Sequence, residues 1–103
     1  MAAGRCSAGT VRAARQVGAN IATWRKLQNL TGEQLAERAG FSRVTISKLE
    51  HGDLGVGMGV LLEVFRSLWQ LDAVVTATDP YETELGKIRS AQTLPKRVRS
   101  ARP

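Results

Sequence analysis

The sequence predicts an all-α domain of four or five helices that is followed by a short β-strand. Apolar residues recur at helical spacing over residues 17–29, and two capping patterns frame short helices within residues 30–52. An apolar run over residues 58–71 predicts another helix, and a β-branched stretch over residues 72–78 predicts the strand. We therefore expect four segments: a disordered basic arm (1–15), the helical domain (16–71), the strand (72–79) and a basic tail (80–103).

The first predicted helix runs from about Val17 to Asn29. Val17, Ile21, Trp24 and Leu27 recur at a spacing that places them on one face of a helix, and we expect this face to lie against the core. Arg25 and Lys26 are predicted to point away from it. The residues before this helix are small and basic without apolar periodicity, so Met1 to Thr10 are predicted to be disordered.

Two short helices with a tight turn between them are predicted next. Thr31 and Gln34 form a capping box, with Leu30 and Leu35 as its hydrophobic staple, so a helix begins at Gly32. Gly40 can adopt the left-handed conformation that ends this helix. Ser42 then caps a second helix, for which Phe41 and Ile46 repeat the staple. This spacing is typical of a helix-turn-helix.

The second of these helices carries side chains suited to DNA on one face. Ile46 and Leu49 point inward at helical spacing. The remaining surface holds side chains that can reach base edges and phosphates from the major groove: Arg43, Val44, Thr45, Ser47 and Lys48.

Residues 17–71, and the motif AERAGFSRVTISKLEHG above all, resemble the lambda-repressor-like (Cro/C1, or XRE) DNA-binding family. The resemblance implies that Ser42 to Glu50 is the recognition helix and that its exposed positions face DNA, with Thr31 and Ser42 at the DNA-facing helix ends. The family often has Gln directly after the first cap, where it helps to clamp a phosphate. This chain departs from that pattern with Gly32.

The apolar residues from Val60 to Leu71 cover more than one face of a helix, and one small core cannot bury them all. We expect a second subunit to cover the excess, with the predicted strand pairing antiparallel to its copy about a two-fold axis. The residues assigned to this homodimer interface are Leu68, Trp69, Leu71, Val74 and Val75. A dimer predicts an operator with inverted-repeat symmetry.

The net charge of +6 lies at the two ends of the chain. Residues 1–15 hold three arginines and no acidic residue, residues 16–79 hold six basic and seven acidic residues, and residues 80–103 hold six basic and two acidic residues. Basic arms can add sequence-independent contacts to phosphates, or they can merely keep the ends solvated.

The composition argues against an enzyme, a cofactor and a metal centre. His51 and Cys6 are the only histidine and cysteine, so neither a zinc site nor a Cys-His pair can form within one chain. No apolar run approaches the roughly 20 residues of a membrane helix, and the N-terminus lacks the apolar segment of a signal peptide. We expect a cytoplasmic, nucleoid-associated protein.

The tail sequence DPYETELGKIRSAQTLPKRVR, after a helix-turn-helix domain and a predicted strand, resembles HipB-like antitoxins. That resemblance implies a type II toxin-antitoxin pair in which this chain represses its own operon and binds a HipA-like serine/threonine kinase. Two alternatives remain. One is a stand-alone or prophage-type XRE regulator without a toxin partner, and the other is a protein-interaction module that does not bind DNA.

Overall fold

The computed structural model describes residues 5–93, and these residues form two units that we describe separately. The first unit ends at Leu71 and the second begins at Asp72. Within residues 5–93 the secondary structure consists of six α-helices and one 3-10 helix, without a β-strand. No helix in this part of the chain has the length and apolar character needed to cross a membrane.

Four helices make up the first unit: α1 (Ala8–Leu27), α2 (Gly32–Ala39), α3 (Arg43–Glu50) and α4 (Met58–Ser67). One hydrophobic core joins them, because each helix contributes apolar residues from a single face. Its buried members are Ile21 from α1, Leu35, Ala36 and Ala39 from α2, Ile46 and Leu49 from α3, and Val64 and Leu68 from α4 and its C-terminal cap. This core fixes the two helices of the predicted helix-turn-helix.

The N-terminal arm is helical from Ala8, which corrects the prediction of disorder up to Thr10 and of a helix that begins near Val17. Ser7 caps α1 by accepting a hydrogen bond from the backbone N–H of Thr10 at 3.2 Å. Alanine and arginine at residues 12–15 favour a helix, and the half-buried Val11 and Ala14 continue the face that buries Ile21. Residues 1–4 of the expected arm lie outside the described part of the chain.

Two residues predicted for the core face of α1 lie at the surface instead. Leu27 is 68% exposed and Trp24 is 38% exposed, whereas Ile21 is fully buried and Val17 packs against the core. The buried face of α1 continues from Ile21 to the partly buried side chains of Arg25 and Gln28, so Trp24 and Leu27 lie beside it. The apolar pattern was therefore right about the helix and wrong about which residues near its end are covered.

α4 ends earlier than the apolar run predicts. Leu68 is its C-cap, and Trp69 adopts a left-handed backbone conformation with φ of 63°. The N–H of Gln70 then reaches back to the carbonyl of Phe65 at 2.8 Å. This hydrogen bond ends the helix with a left-handed residue, a position that glycine usually occupies. α4 and the next helix are therefore two separate helices.

The predicted strand over residues 72–79 is wrong: α5 spans Leu71–Ala77. Its β-branched residues have only a weak preference for strands, and a strand needs a partner for its backbone groups. In the helix those groups are satisfied locally, and the Thr78 hydroxyl adds hydrogen bonds to the carbonyls of Val74 and Val75 at 3.1 and 3.0 Å. Strand pairing between subunits therefore has no support within the described residues.

The segment expected to be a tail folds locally into a 3-10 helix (Pro80–Glu82) and α6 (Glu84–Thr93). Asp79 caps the 3-10 helix by accepting from the N–H of Tyr81 at 2.9 Å, and Thr83 accepts from the N–H of Gly86 at 3.0 Å. A side chain at Gly86 would collide with the carbonyl oxygen of Pro80, so glycine permits this close approach. The remainder of the expected basic tail, residues 94–103, lies outside the described residues.

Candidate nucleic-acid interface

α3 presents one face to solvent and buries the other. Ile46 is fully buried and Leu49 is 7% exposed, so α3 is anchored to the core through these two side chains. Arg43, Val44 and Lys48 are exposed, while Thr45 and Ser47 are half-buried. The structure thus brings the five expected residues of the recognition helix onto one element, with three of them open to a large partner.

The turn between α2 and α3 forms as the sequence predicts. Gly40 has φ of 85°, and the N–H groups of Gly40 and Phe41 both donate to the carbonyl of Ala36 at 2.9 Å. This pairing ends α2 and reverses the chain within two residues before the Ser42 cap. The turn is short, so the packing of α2 restricts the direction of α3.

Both predicted caps are present. At α2 the hydroxyl of Thr31 accepts from the N–H of Gln34 at 3.0 Å, and the Gln34 side chain accepts from the N–H of Thr31 at 2.8 Å. At α3 the hydroxyl of Ser42 accepts from the N–H of Thr45 at 3.1 Å and lies 3.0 Å from the Thr45 hydroxyl. The hydroxyls of Ser42 and Thr45 therefore hold each other in place. Thr45 is thus less available for contacts with a partner than its exposed neighbours.

His51 ends the recognition helix with a fixed ring. Its Nδ1 lies 2.7 Å from the backbone carbonyl of Ser47, and because a carbonyl only accepts, Nδ1 carries the hydrogen and donates. The side chain is exposed at the C-cap of α3. The sequence gives no direct signal for this contact, although the histidine stands four residues after Ser47 on a predicted helix.

A partly buried ion pair connects α1 to the end of α3. Nε and Nη2 of Arg25 donate to the two carboxylate oxygens of Glu50 at 2.7 and 3.1 Å, and Nη1 donates to the carbonyl of Leu30 at 3.0 Å. The two side chains are 13% and 9% exposed. Arg25 therefore joins α1, the segment before α2 and the C-terminal end of α3.

The prediction that Arg25 points away from the core was wrong, and a weak signal could have corrected it. Arg25 follows the buried Ile21 by four residues, and Glu50 follows the buried Ile46 by four residues. Residues at this spacing share a helix face, so the two charges extend two apolar stripes. Hydrogen bonding to Glu50 raises the pKa of Arg25, and burial opposes this effect. The stabilisation from this shift disappears only as the pH rises through the raised pKa, so the guanidinium stays charged at physiological pH.

Close backbone packing also fixes α3 against α1. A Cβ at Gly18 would lie 2.5 and 2.6 Å from the carbonyl oxygens of Leu49 and Glu50. A Cβ at Gly52, where φ is 80°, would lie 2.7 Å from the Cα of Arg15. Glycine at both positions allows α1 to approach the end of the recognition helix more closely than any other residue would.

At the other end of α3, Arg43 reaches the first turn of α2. A Cβ at Gly32 would lie 2.5 Å from Nε and 2.6 Å from Cζ of Arg43. The guanidinium therefore occupies the space where other residues carry a side chain, while Arg43 as a whole stays exposed. Thr31, Gly32, Ser42 and Arg43 lie together where α2 and α3 both begin.

The residues expected for dimerisation are only partly available. Leu68 is fully buried in the core of its own chain, so it cannot also contact a second subunit and that assignment is withdrawn. Trp69 is 82% exposed, Val75 is exposed, and Leu71 and Val74 are half-buried. Leu68 was misassigned because its helix has apolar residues on both sides. The sequence pattern does not reveal which side packs against the core of the same chain.

The comparison with protein families agrees with this geometry. Residues 21–66 match the family model described as "Helix-turn-helix", a segment that runs from the buried Ile21 into α4. These residues are similar to that family. The match supports a helix-turn-helix of the XRE type, a family of DNA-binding transcription regulators. A search of curated proteins and a search of solved structures found no match to the chain.

No cluster of three or more histidine, cysteine, aspartate or glutamate side chains in residues 5–93 could hold a metal ion. Glu50, the one acidic residue of α3, is already bound to Arg25. The chemistry available on the exposed face of α3 is therefore hydrogen-bond donation, positive charge and one apolar contact.

Proposed function

We propose that this protein is a dimeric transcriptional repressor that binds a specific double-stranded DNA sequence. The observation that carries the proposal is the two-sided character of α3. Ile46, Leu49 and Glu50 hold the helix firmly on one side, and Arg43, Val44 and Lys48 are exposed on the other. A rigid helix with a free polar face is what insertion into the major groove requires.

In this proposal each side chain of α3 has a separate task. Arg43 donates two hydrogen bonds to a guanine, and Val44, which is 63% exposed, contacts a thymine methyl group. Lys48 fixes a phosphate or reads a base, and Thr45 and Ser47 offer hydroxyls at the edge of the face. The hydroxyl of Thr31 accepts a hydrogen bond from its own helix, so its hydrogen can be donated to a phosphate oxygen. Ser42 and Thr45 share one hydrogen bond between their hydroxyls, so one of these two hydroxyls keeps a hydrogen for a phosphate.

The substitution Arg43→Ala tests the base-reading role. The probe is a duplex selected by the unsubstituted protein from a random-sequence library, here called the selected duplex. Loss of a bidentate contact to guanine should weaken binding to it by about 5- to 150-fold, which corresponds to about 1–3 kcal/mol. Binding to a scrambled duplex should change much less, and the two dissociation constants can be measured by fluorescence anisotropy at one salt concentration.

The matched control is Arg66→Ala. It removes the same charge from α4, where Arg66 bonds to Glu63 at the surface. We expect little change in the affinity for either duplex. If Arg43→Ala weakens both duplexes equally, Arg43 contacts a phosphate and does not read a base.

Dimerisation is proposed through the surface around Trp69. A large apolar side chain that is 82% exposed, on a backbone with positive φ, is unfavourable for a monomer because it combines strain with an apolar surface in water. Leu71 remains in the proposed interface with Trp69, and Val74 and Val75 remain candidate dimer contacts within the second unit. A two-fold dimer would place its recognition helices in successive major grooves about 34 Å apart, on an inverted-repeat operator.

The substitution Trp69→Gly separates dimerisation from folding. Glycine tolerates the left-handed backbone, so the fold of the monomer should not be destabilised. Loss of an anchoring tryptophan from an interface should raise the dimer dissociation constant by at least about 30-fold, or 2 kcal/mol. Sedimentation equilibrium measures the dissociation constant, and thermal unfolding at a concentration that keeps both proteins monomeric measures the fold.

Trp24→Ala provides the control, because it removes another surface tryptophan that does not belong to the proposed interface. An unchanged dimer in Trp69→Gly would exclude this surface. A monomeric unsubstituted protein at micromolar concentration would exclude the dimer itself.

The further proposal that this chain is a HipB-like antitoxin rests on the resemblance of its tail sequence. Within the second unit, the 3-10 helix and α6 contain no buried residue, while Leu85 and Ile88 are exposed apolar residues. The caps at Asp79 and Thr83 nevertheless define the local structure. A structured segment without its own core is suited to binding another protein, and the kinase toxin would bind there.

Affinity purification of the tagged protein from its native cell tests this partner. Stoichiometric recovery of a serine/threonine kinase would support the antitoxin. Recovery of the dimer with DNA alone would support the stand-alone regulator. The third candidate, an interaction module without DNA binding, predicts a weak dependence of DNA affinity on salt, whereas several phosphate contacts produce a steep one.

A further inference from the structure

Gly32 is the residue of the helix-turn-helix whose role the proposed function leaves open. It is the first residue of α2, directly after the Thr31 cap, and it is buried although its neighbour Glu33 is exposed. What covers it is the side chain of Arg43, since three guanidinium atoms lie near the position that a Cβ would take. The distances from that position are 2.5 Å to Nε, 2.6 Å to Cζ and 3.0 Å to Nη2.

These three distances describe the orientation of the guanidinium. Nε, Cζ and Nη2 belong to one planar group, and their similar distances mean that the group turns its face toward Gly32 rather than one edge. The N–H donors of a guanidinium lie around its edge. Packing on the bare backbone of α2 therefore restrains the side chain and leaves its donors free for a partner in solution.

From this geometry we propose that Gly32 is a positioning residue for DNA recognition. Because it lacks a side chain, it provides a flat surface on which Arg43 is oriented before DNA binds. The inference rests on the proposed function. An arginine loses much rotamer freedom when it is fixed in an interface, and a side chain that is already restrained loses less on binding. Gly32 thus contributes to affinity without touching DNA.

The substitution Gly32→Ala removes this surface with little harm to the fold. The atoms that a methyl group would meet belong to the far end of the Arg43 side chain, which can move into solvent. Alanine is also a better helix former than glycine. Gly32→Ala should therefore be at least as stable as the unsubstituted protein, and yet bind the selected duplex about 3- to 10-fold more weakly, the range expected for one side chain that must be ordered on binding.

Gly59→Ala is the matched control. Gly59 lies in the first turn of α4, is exposed, and has open space where a Cβ would stand. This substitution should raise stability in the same way and leave DNA affinity unchanged.

A double-mutant cycle with Arg43→Ala assigns the effect to the pair. If Gly32 acts by orienting Arg43, Gly32→Ala should cost no affinity in the Arg43→Ala background. A similar loss in both backgrounds would overturn the inference and indicate a separate effect on α2. An unchanged affinity of the single Gly32→Ala variant would overturn it as well.

An NMR measurement on the free protein distinguishes this inference from the proposed function. A nuclear Overhauser effect between the Gly32 Hα protons and the Arg43 Hδ protons is expected, and Arg43→Ala provides the negative control. Its absence would overturn the positioning role even if the protein binds DNA. If the nuclear Overhauser effect is present but the protein selects no duplex from the library, the proposed DNA-binding function is wrong. The role of Gly32 in DNA recognition is then wrong as well.

Discussion

Replacing Glu50 by alanine is expected to lower the free energy of unfolding by about 3 kcal/mol. The substitution leaves the guanidinium of Arg25 in a site where the two side chains are 13% and 9% exposed, with the carbonyl of Leu30 as its remaining partner. A buried charge without its counter-ion costs far more than the intact pair contributes. For a domain of this size the melting temperature should fall by about 10 to 20 °C, as measured by circular dichroism.

The matched control is Glu63→Ala. Its carboxylate also accepts from an arginine at 2.7 Å, but the side chains of Arg66 and Glu63 are 59% and 47% exposed. Surface pairs contribute about 0–1 kcal/mol, so the control should change stability little. Two losses of similar size would show that the pair of Arg25 and Glu50 is solvated in solution. The double variant Arg25→Met, Glu50→Leu should recover much of the loss, because it removes both charges together.

Those parts of the site that depend on neighbouring residues could be predicted from the sequence. The capping box at Thr31, the Ser42 cap and the left-handed Gly40 involve residues within four positions of each other. Local hydrogen bonds and steric limits decide such features, and they do not depend on the rest of the fold. The recognition helix and its exposed face followed from them.

Contacts between distant parts of the chain could not be predicted in the same way. Arg25 and Glu50 are 25 residues apart, and no local pattern pairs them. Leu68 was expected at a subunit interface because its helix is apolar on several sides, and only tertiary packing shows that it faces its own core. For residues 72–79 the β-branched composition suggested a strand, but local hydrogen bonding in α5 outweighs that preference. The dimer itself stays a prediction.

Gly18→Ala is the second substitution with a large expected effect, and it tests how α1 holds the recognition helix. A methyl group at this position would lie 2.5 Å from the carbonyl oxygen of Leu49 and 2.6 Å from that of Glu50. These atoms belong to the backbone of α3, so α1 and α3 must separate to make room. We expect a loss of about 1–3 kcal/mol of stability from this overpacking, measured by urea unfolding, although alanine favours the helix itself.

Gly9→Ala is the control within the same helix. The nearest atoms to a Cβ at Gly9 lie at 3.9 Å, which is ordinary contact distance, so this substitution should raise stability by about 0.5–1 kcal/mol. The same chemical change in α1 is thus expected to have opposite signs at two positions nine residues apart. An increase at both positions would mean that α1 does not approach α3 closely in solution. If Gly18→Ala also weakens binding to the selected duplex in conditions where the protein remains folded, the spacing between α1 and α3 contributes to the position of the recognition helix on DNA.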